Sequence, residues 1–165
     1  IDAAGLAILA AQGKPVSPID TETLKEIVAS TKLPLILKGI MTVEGAKKAL
    51  KAGASGIVVS NHGGRQLDGS RSPFDQLAEI VDAVGDDIDV IMDSGIQRGT
   101  HVLKALSLGA KAVGGGRFYL FPLAAAGQKG VERALNLMRS EIERGMMLMG
   151  CRSISELTRK NLKFR

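Results

Sequence analysis

The segment from Ser60 to Gly69, SNHGGRQLDG, carries two side chains suited to chemistry on a small acid. His62 and Arg65 lie three positions apart, and the two glycines between them let the backbone come close to a bound molecule. An imidazole can take a proton from an alcohol near neutral pH. A guanidinium is a rigid fork that matches a carboxylate. The pair predicts a site for a 2-hydroxy acid, with His62 at the hydroxyl and Arg65 at the carboxylate; a structural or exposed pair is the alternative interpretation.

Two glycine-rich turns farther along the chain are suited to holding an anion. They read DSGIQRG from Asp93 to Gly99 and GGGR from Gly114 to Arg117. Glycine lets backbone amides approach an anion, and the N-terminus of a following helix adds positive potential. Barrels of alternating strands and helices commonly bind phosphate after their last two strands. Because these two turns are successive, they predict a phosphate site, with ordinary tight turns as the alternative interpretation.

The elements that must position these residues alternate between strand and helix. Apolar runs predict buried parallel strands over 33–39, 55–60, 89–93 and 112–117. Amphipathic patterns predict helices over 19–30, 42–52, 73–84, 99–108 and 128–149, followed by a short amphipathic segment over 153–165. The predicted strands end at Lys38, Ser60, Asp93 and Arg117. Since α/β folds carry their chemistry at the carboxyl ends of strands, we expect these four ends to meet.

The number of strand–helix units leaves two architectures open. A (β/α)8 barrel has eight units in about 250 residues, and this chain of 165 residues contains four. The chain is then either an open sheet of four or five strands that is complete in itself, or the second half of a barrel. The glycine-rich turns after the last two strands favour the half barrel.

Composition excludes several other classes of protein. The net charge of +5 comes without a dense Lys/Arg run and aromatic residues are 3% of the chain, so we expect no nucleic-acid surface. No apolar run reaches the ~20 residues of a membrane span, and no signal peptide is apparent. The single cysteine, Cys151, excludes an internal disulfide. It fits a reducing compartment, so we expect a cytoplasmic protein whose membrane association, if any, comes through regions outside this chain.

Three motifs resemble those of the FMN-dependent α-hydroxy-acid dehydrogenases and oxidases. They are LPLILKGI at 33–40, SNHGGRQLD at 60–68 and DSGIQRG at 93–99, and the resemblance extends over nearly the whole chain. It implies an α/β fold, the TIM (β/α)8 barrel, with FMN at its mouth. Residues 1–165 would then be the C-terminal four βα units, without the N-terminal half. The implied reaction oxidises an L-2-hydroxy acid of the lactate, glycolate or mandelate type to the 2-oxo acid.

The resemblance also implies a role for each site residue. His62 would take the proton of the substrate, and Arg65 would hold its carboxylate. Lys38 would stabilise negative charge at the N1/O2 edge of the flavin, which favours flavin reduction. The remaining cofactor contacts would come from Ser60 to the flavin, from Asp93 to the ribityl chain, and from a phosphate cradle of Ser94, Gly95, Ile96, Gln97, Gly116 and Arg117. No metal ligand is implied.

Two positions depart from the pattern of the family. Gln97 stands where the family often has arginine, which removes one positive charge from the phosphate site. Either Arg98 and Arg117 compensate for this charge, or FMN binds more weakly. Phe118 follows Arg117 where the family commonly has proline. We expect this change to be tolerated, because the anion contact would use a glycine amide and the arginine.

A half barrel also has consequences for partners and for alternative functions. Its two outer strands would be unpaired, so we expect the missing N-terminal half or a partner chain to close the barrel, and a homo-oligomer. One alternative function is a non-catalytic half-barrel fragment or assembly module. Another is a different FMN- or phosphate-binding barrel enzyme such as an isomerase, which would give no reason for the His–Arg pair.

Overall fold

The computed structural model describes residues 19–65 and 67–163. Its strands are β1 (Ile36–Lys38), β2 (Gly56–Val59), β3 (Asp89–Met92) and β4 (Ala112–Val113). Its helices are α1 (Thr21–Ala29), α2 (Val43–Lys51), α3 (Pro73–Val84), α4 (Gly99–Ser107) and α5 (Gly116–Met149). Strands and helices alternate, as the sequence predicts. The last two positions of the predicted segment 153–165, and the first 18 residues of the chain, lie outside the described residues.

The four strands form one parallel sheet in the order β1-β2-β3-β4. Leu37 is in register with Ile57, and Ile57 with Val90, so the apolar residues of neighbouring strands lie side by side. All the strands point the same way, and their carboxyl ends therefore form one edge of the sheet. The loops after all the strands begin at this edge.

Within the described residues, helices cover one face of the sheet. The buried core contains Leu37, Ile57 and Val90 from the strands, together with side chains of α2, α3 and α4. Alternate strand residues point to the opposite face. There Ile36 is 48% exposed and Ile91 is half-buried. An open doubly wound sheet carries helices on both faces, so this layering agrees with half of a barrel.

Local sequence chemistry sets where the helices begin. The Thr42 hydroxyl accepts a hydrogen bond from the Gly45 amide at 3.0 Å, which caps α2 at the predicted residue. Helix α3 begins at the predicted Pro73, because proline at the first helical position has no amide to leave unpaired. Asp20 caps α1 in the same way by accepting from the Thr23 amide at 2.8 Å.

The last strand is shorter than predicted, and the last helix is longer. Strand β4 ends at Val113, and Arg117 lies in the first turn of α5, so the prediction of a strand reaching Arg117 is wrong. The Gly114 amide still donates to the Met92 carbonyl at 2.8 Å, after which two glycines turn the chain into the helix. No helix in the described ranges is both long and apolar enough to cross a bilayer.

Helix α5 consists of two segments. Its interior is interrupted at Ala126 and at Gly127, whose φ of 57° and ψ of −142° are accessible mainly to glycine. The second segment is the predicted helix from Gln128 to Met149. The first segment was not predicted, because it is apolar and contains Pro122. Position 130 requires glycine, because a Cβ there would collide with the Pro122 carbonyl.

The C-terminal segment packs back onto the helices. The Arg159 guanidinium donates to both carboxylate oxygens of Asp82 on α3, at 2.6 and 2.9 Å. It also donates to the Ala78 carbonyl at 3.2 Å. Cys151 is buried beside Leu103 and Leu157, as expected for a small apolar side chain. This segment therefore fixes the outer side of the helical layer.

Candidate active site

A cleft of about 320 Å³ lies at the carboxyl edge of the sheet. The loops after all four strands contribute to it, and every site residue expected from the sequence except Ser60 lines its wall. These residues are Lys38 at the end of β1, His62 and Arg65 after β2, Asp93, Ser94, Gly95, Ile96 and Gln97 after β3, and Gly116 and Arg117 after β4. The segments that follow the four strands therefore meet at one cleft, although Ser60 lies off its wall and Arg117 belongs to α5 and not to a strand.

Lys38 connects the ends of three strands. Its Nζ lies 3.3 Å from Oδ2 of Asp93, 3.0 Å from Oγ of Ser60 and 3.4 Å from Nδ1 of His62. An ammonium group can only donate, so its contact with Nδ1 is favourable when that ring nitrogen carries no proton. An imidazole whose proton lies on Nε2 can accept this hydrogen bond at Nδ1.

The turn that carries His62 has an uncommon backbone. His62, Gly63 and Gly64 have φ values of 57°, 72° and 77°, three successive left-handed residues. Glycine adopts this conformation readily, which explains the two glycines. A residue with a side chain pays about 1–2 kcal/mol for it. Among the described residues other than glycine, His62 shares positive φ only with Ser94.

Side-chain oxygens satisfy all three amides of the turn His62–Gly64. The first amide donates to Oγ of Ser60 at 3.1 Å. The second donates to Oγ of Ser94 at 2.8 Å, and the third to Oδ1 of Asn61 at 3.0 Å. These hydrogen bonds hold the strained turn in one geometry, and they thereby fix the backbone position from which the His62 side chain extends.

Ser60 lies beneath this turn and not on the cleft wall. It is 3% exposed, and its hydroxyl contacts both Lys38 Nζ and the His62 amide. The contact between Ser60 and a flavin expected from the family stays a prediction.

The turn after β3 and the start of α5 leave room for an anion. A Cβ added at Gly95 or at Gly116 would meet no other atom within 4 Å, so there is open space beside both, although the φ of 78° at Gly95 itself also favours glycine. Both line the cleft, and the missing side chains keep its floor open. The α5 N-terminus has no side-chain cap at Gly115, and Arg117 stands beside it. These features fit a phosphate group.

The N-terminus of α4, unlike that of α5, is capped by a side chain of the protein. The Gly99 amide donates to Oε2 of Glu141 on α5 at 2.7 Å. The Arg98 guanidinium pairs with the same carboxylate, with Nε at 2.8 Å from Oε1 and 3.1 Å from Oε2. The Gly99 hydrogen bond and then the Arg98 charge hold the pKa of Glu141 below its usual value. Arg98 is thus directed to the α4–α5 contact, and the expectation that it compensates for Gln97 at the phosphate site is wrong.

Positive charge dominates the cleft. Lys38, Arg65 and Arg117 line it together with one carboxylate, Asp93. Arg117 donates from Nη2 to the Gly63 carbonyl at 2.8 Å. Within residues 19–65 and 67–163, Arg65 is exposed and makes no hydrogen bond or ion pair. The cleft is therefore suited to anionic ligands.

Sequence reasoning missed several residues of the site. Tyr119 and Leu120 also line the cleft, on the first turns of α5. Both are about half exposed, so they form an apolar margin. A helix placed from Gly116 onward would have predicted them, because Tyr119 and Leu120 lie three positions after Gly116 and Arg117 and so share their helix face. The role of Asn61 as the cap of the His62 turn was also missed.

The comparisons with known proteins agree with this arrangement. The family model described as FMN-dependent dehydrogenase matches residues 4–164. 4-Hydroxymandelate oxidase of Amycolatopsis orientalis is 49% identical over 89% of this chain and 41% of that protein. A peroxisomal (S)-2-hydroxy-acid oxidase of Oryza sativa is 47% identical over 87% and 38%. L-Lactate dehydrogenase (cytochrome) of Saccharomyces cerevisiae is 48% identical over 81% and 24%.

Solved structures give the same result. A crystal structure of mandelate oxidase superimposes with a TM-score of 0.86 at 46% sequence identity, over 93% of this chain and 45% of that one. The chain thus spans less than half the length of the relatives it matches. It belongs to the FMN-dependent dehydrogenase family and forms part of that family's (β/α)8 barrel.

Proposed function

We propose that the protein containing this chain oxidises an L-2-hydroxy acid, of the lactate, glycolate or mandelate type, to the 2-oxo acid with FMN as cofactor. The observation that carries the proposal is the convergence of His62, Arg65 and Lys38 on one cleft whose far side is an open, glycine-lined anion position. Each of these features also occurs in other kinds of site. Together they match the carboxylate and the hydroxyl of the substrate and the phosphate of FMN, which this reaction brings into one site.

The residues present fit FMN. Gly95, Gly116 and Arg117 support the phosphate position, because the glycines leave space and the arginine supplies charge. The backbone from Ser94 to Gln97 would complete the cradle, and Asp93 would accept hydrogen bonds from the ribityl hydroxyls. Lys38 would face the flavin ring, with Ser60 beside it. When bound, FMN supplies the two-electron acceptor that these side chains lack.

Arg65 and His62 would bind and activate the substrate. Arg65 is exposed at the margin of the cleft. Pairing with a carboxylate there is worth about 1.5–3 kcal/mol, as for a hydrogen bond to a charged group. That pairing directs the adjacent hydroxyl toward His62, which is three positions away along the chain. His62 then takes the hydroxyl proton.

Base action by His62 places a condition on Lys38. When Nδ1 accepts from Nζ at 3.4 Å, the proton of the neutral imidazole lies on Nε2, which then has no lone pair for the substrate. Proton uptake at Nε2 requires the other tautomer. Lys38 must therefore donate elsewhere in the active complex, and Asp93, Ser60 and the cofactor are all available to it.

We also propose that residues 1–165 are the C-terminal half of a barrel closed by an N-terminal half. The uncovered face at Ile36 and Ile91 supports this, as do the outer positions of β1 and β4 in the sheet. Closure by a partner chain is the alternative. A cytoplasmic location and a homo-oligomer stay predictions, and the related oxidase of Oryza sativa is named as peroxisomal.

Anaerobic mixing of the intact protein with L-lactate, glycolate or L-mandelate tests the function. The proposal expects a yellow protein whose flavin absorbance bleaches with at least one of these acids. The variant His62→Asn should stay yellow in the same experiment. A yellow wild-type protein that no 2-hydroxy acid bleaches would indicate a different flavin enzyme. A colourless protein that gains no absorbance with added FMN would indicate a non-catalytic module.

A further inference from the structure

We propose that the side chain of Ser94 positions His62 by holding the Gly63 amide, and that it does not bind the cofactor's phosphate. The inference rests on the proposed function, because it assigns Ser94 a task in that reaction. It also separates the Ser94 hydroxyl from the backbone around it, which remains part of the proposed phosphate cradle.

The hydrogen bonds of Ser94 are the first evidence. Its Oγ accepts from the Gly63 amide at 2.8 Å and donates to Oδ1 of Asp93 at 2.9 Å. A hydroxyl has one proton to donate. Because that proton already goes to Asp93, the hydroxyl cannot donate to a phosphate oxygen at the same time. It is instead suited to accept from a backbone amide.

The position of Ser94 in the sheet is the second evidence. The other side chains that accept hydrogen bonds from the amides of the turn, Ser60 and Asn61, lie within three positions of those amides. Ser94 lies 31 positions from Gly63 and follows the neighbouring strand β3. It therefore ties the turn to the edge of the sheet, whereas the local caps tie it only to its own strand.

The backbone of Ser94 is the third evidence. Its φ is 73°, and that of the following Gly95 is 78°. Glycine adopts such angles without steric cost, whereas serine does not. The presence of a serine and not a glycine at this positive φ is explained if the two hydrogen bonds of its hydroxyl are needed. At the other end of the Ser94–Gly63 hydrogen bond stands the turn of His62, which is strained in the same way.

These contacts predict how the reaction depends on Ser94. Without the hydroxyl, the Gly63 amide loses its acceptor, and the turn keeps only its local caps and the Arg117 contact. The imidazole would then spend less time where it can take the proton. Arg65 would still hold the carboxylate, since it has no contact with Ser94. The maximal rate should therefore fall more than the affinity for substrate.

The test compares Ser94→Ala and Ser94→Gly in the intact holoprotein. Both remove the hydroxyl, but glycine also relieves the positive φ, so it folds even if alanine does not. We expect faster hydrogen exchange at the Gly63 amide in both variants and a fall in kcat of about 3- to 10-fold, as for one lost hydrogen bond. KM and the dissociation constant of FMN should change by less than about twofold, which is smaller than the change expected if the substrate or FMN lost a hydrogen bond. Ser72→Ala, which removes a hydroxyl cap from α3, serves as a control that should leave Gly63 exchange unchanged.

The opposite pattern overturns the inference. Weaker FMN binding, with unchanged Gly63 exchange and unchanged kcat at saturating FMN, would make the hydroxyl a phosphate ligand. The exchange measurement does not depend on turnover. Faster Gly63 exchange together with a wild-type protein that oxidises no 2-hydroxy acid would support the Ser94–Gly63 tie and overturn the proposed function alone.

Discussion

Arg117 donates from Nη2 to the carbonyl oxygen of Gly63 at 2.8 Å, across 54 positions of the chain. One end of this contact belongs to the turn that carries His62, and the other belongs to the proposed phosphate position. The two halves of the cleft are thus linked by a side chain that a cofactor would also contact. Changes at Gly63 should therefore be detected on both sides of the cleft.

A Gly63→Ala substitution should weaken cofactor binding. A Cβ at Gly63 would lie 2.6 Å from Nη2 of Arg117. The guanidinium is the flexible end of its side chain, so it would move aside. We expect the dissociation constant of FMN to rise about 3- to 10-fold, as for a lost hydrogen bond. Fluorescence titration of the apoprotein with FMN measures this.

Gly64→Ala is the matched control. Its φ of 77° gives a similar backbone strain of about 1–2 kcal/mol. A Cβ at Gly64 would meet nothing within 4 Å. Both variants should therefore lose a similar amount of thermal stability, while FMN affinity falls only for Gly63→Ala. Equal losses of affinity would mean that the Arg117 contact has no part in cofactor binding.

His62→Asn should separate cofactor binding from chemistry. Asparagine tolerates positive φ better than most residues, so the turn should survive. We expect normal FMN binding and an anaerobic flavin reduction at least about 100-fold slower, the low end for a lost general base. Stopped-flow absorbance with the preferred acid measures the rate.

His101→Asn provides the comparison. His101 lies in α4, and its Nδ1 accepts from the Gln97 amide at 3.2 Å without lining the cleft. Flavin reduction should still occur in this variant. A loss of reduction as large as that of His62→Asn would remove the reason for assigning the proton transfer to His62.

Arg65→Gln should raise KM for the acid far more than it lowers kcat. Loss of a charge-assisted pair of about 1.5–3 kcal/mol corresponds to a rise of about 10- to 100-fold. Steady-state kinetics over a range of acid concentrations measures it. Arg139→Gln, which removes an exposed arginine paired with Glu143 within α5, should leave KM unchanged. An unaltered KM in Arg65→Gln would place the carboxylate elsewhere.

The Glu141 carboxylate should make stability depend on pH in the acid range. Its pKa is lowered in the folded protein, mainly by the Gly99 hydrogen bond. A lowered pKa means that the folded state holds the proton less tightly than the unfolded state. The stabilisation is therefore complete above the usual value of 4.5 and is lost as the pH falls through the lower folded pKa.

Thermal unfolding of Glu141→Gln between about pH 3 and pH 7 checks this sign. The wild-type protein should be the more stable at pH 7, and the difference should shrink as the acid is protonated. Glu143→Gln, on the same helix, removes only an exposed pair with Arg139. A Glu141 difference that grows toward low pH would contradict the linkage.

Ile36→Lys should destabilise the intact protein if the barrel is closed. Ile36 is 48% exposed on the uncovered face of the sheet, where lysine would be tolerated in water. Inside a complete barrel the same position faces packed side chains, and an unpaired charge there costs several kcal/mol. Chemical unfolding distinguishes the two cases. Leu137→Lys on α5, 56% exposed, should be close to neutral.

The parts of this structure that the sequence predicted are those set by local chemistry. Thr42 and Pro73 mark helix starts through contacts within one turn, and the apolar runs mark the buried strands. The meeting of Lys38, His62 and Asp93 followed from the rule that parallel strands share a carboxyl edge. The residues placed by strand ends were therefore predictable.

What the sequence could not predict depends on contacts between distant segments. The first part of α5 is apolar and contains Pro122, so it lacks a helical pattern, and its start moved Arg117 from a strand into a helix. The direction of Arg98 is set by Glu141, 43 positions away. The tie between Ser94 and Gly63 likewise needs the alignment of β2 with β3.

The hydrogen bonds of the His62 turn have a consequence for what the cleft can recognise. Successive backbone amides in a turn often gather around an anion, but here all three amides already donate to side chains. Discrimination at the acid end of a substrate then depends on ionic attraction. If the proposed function holds, methyl esters and primary amides of the same hydroxy acids, which keep the alcohol but carry no charge, should bind this cleft poorly.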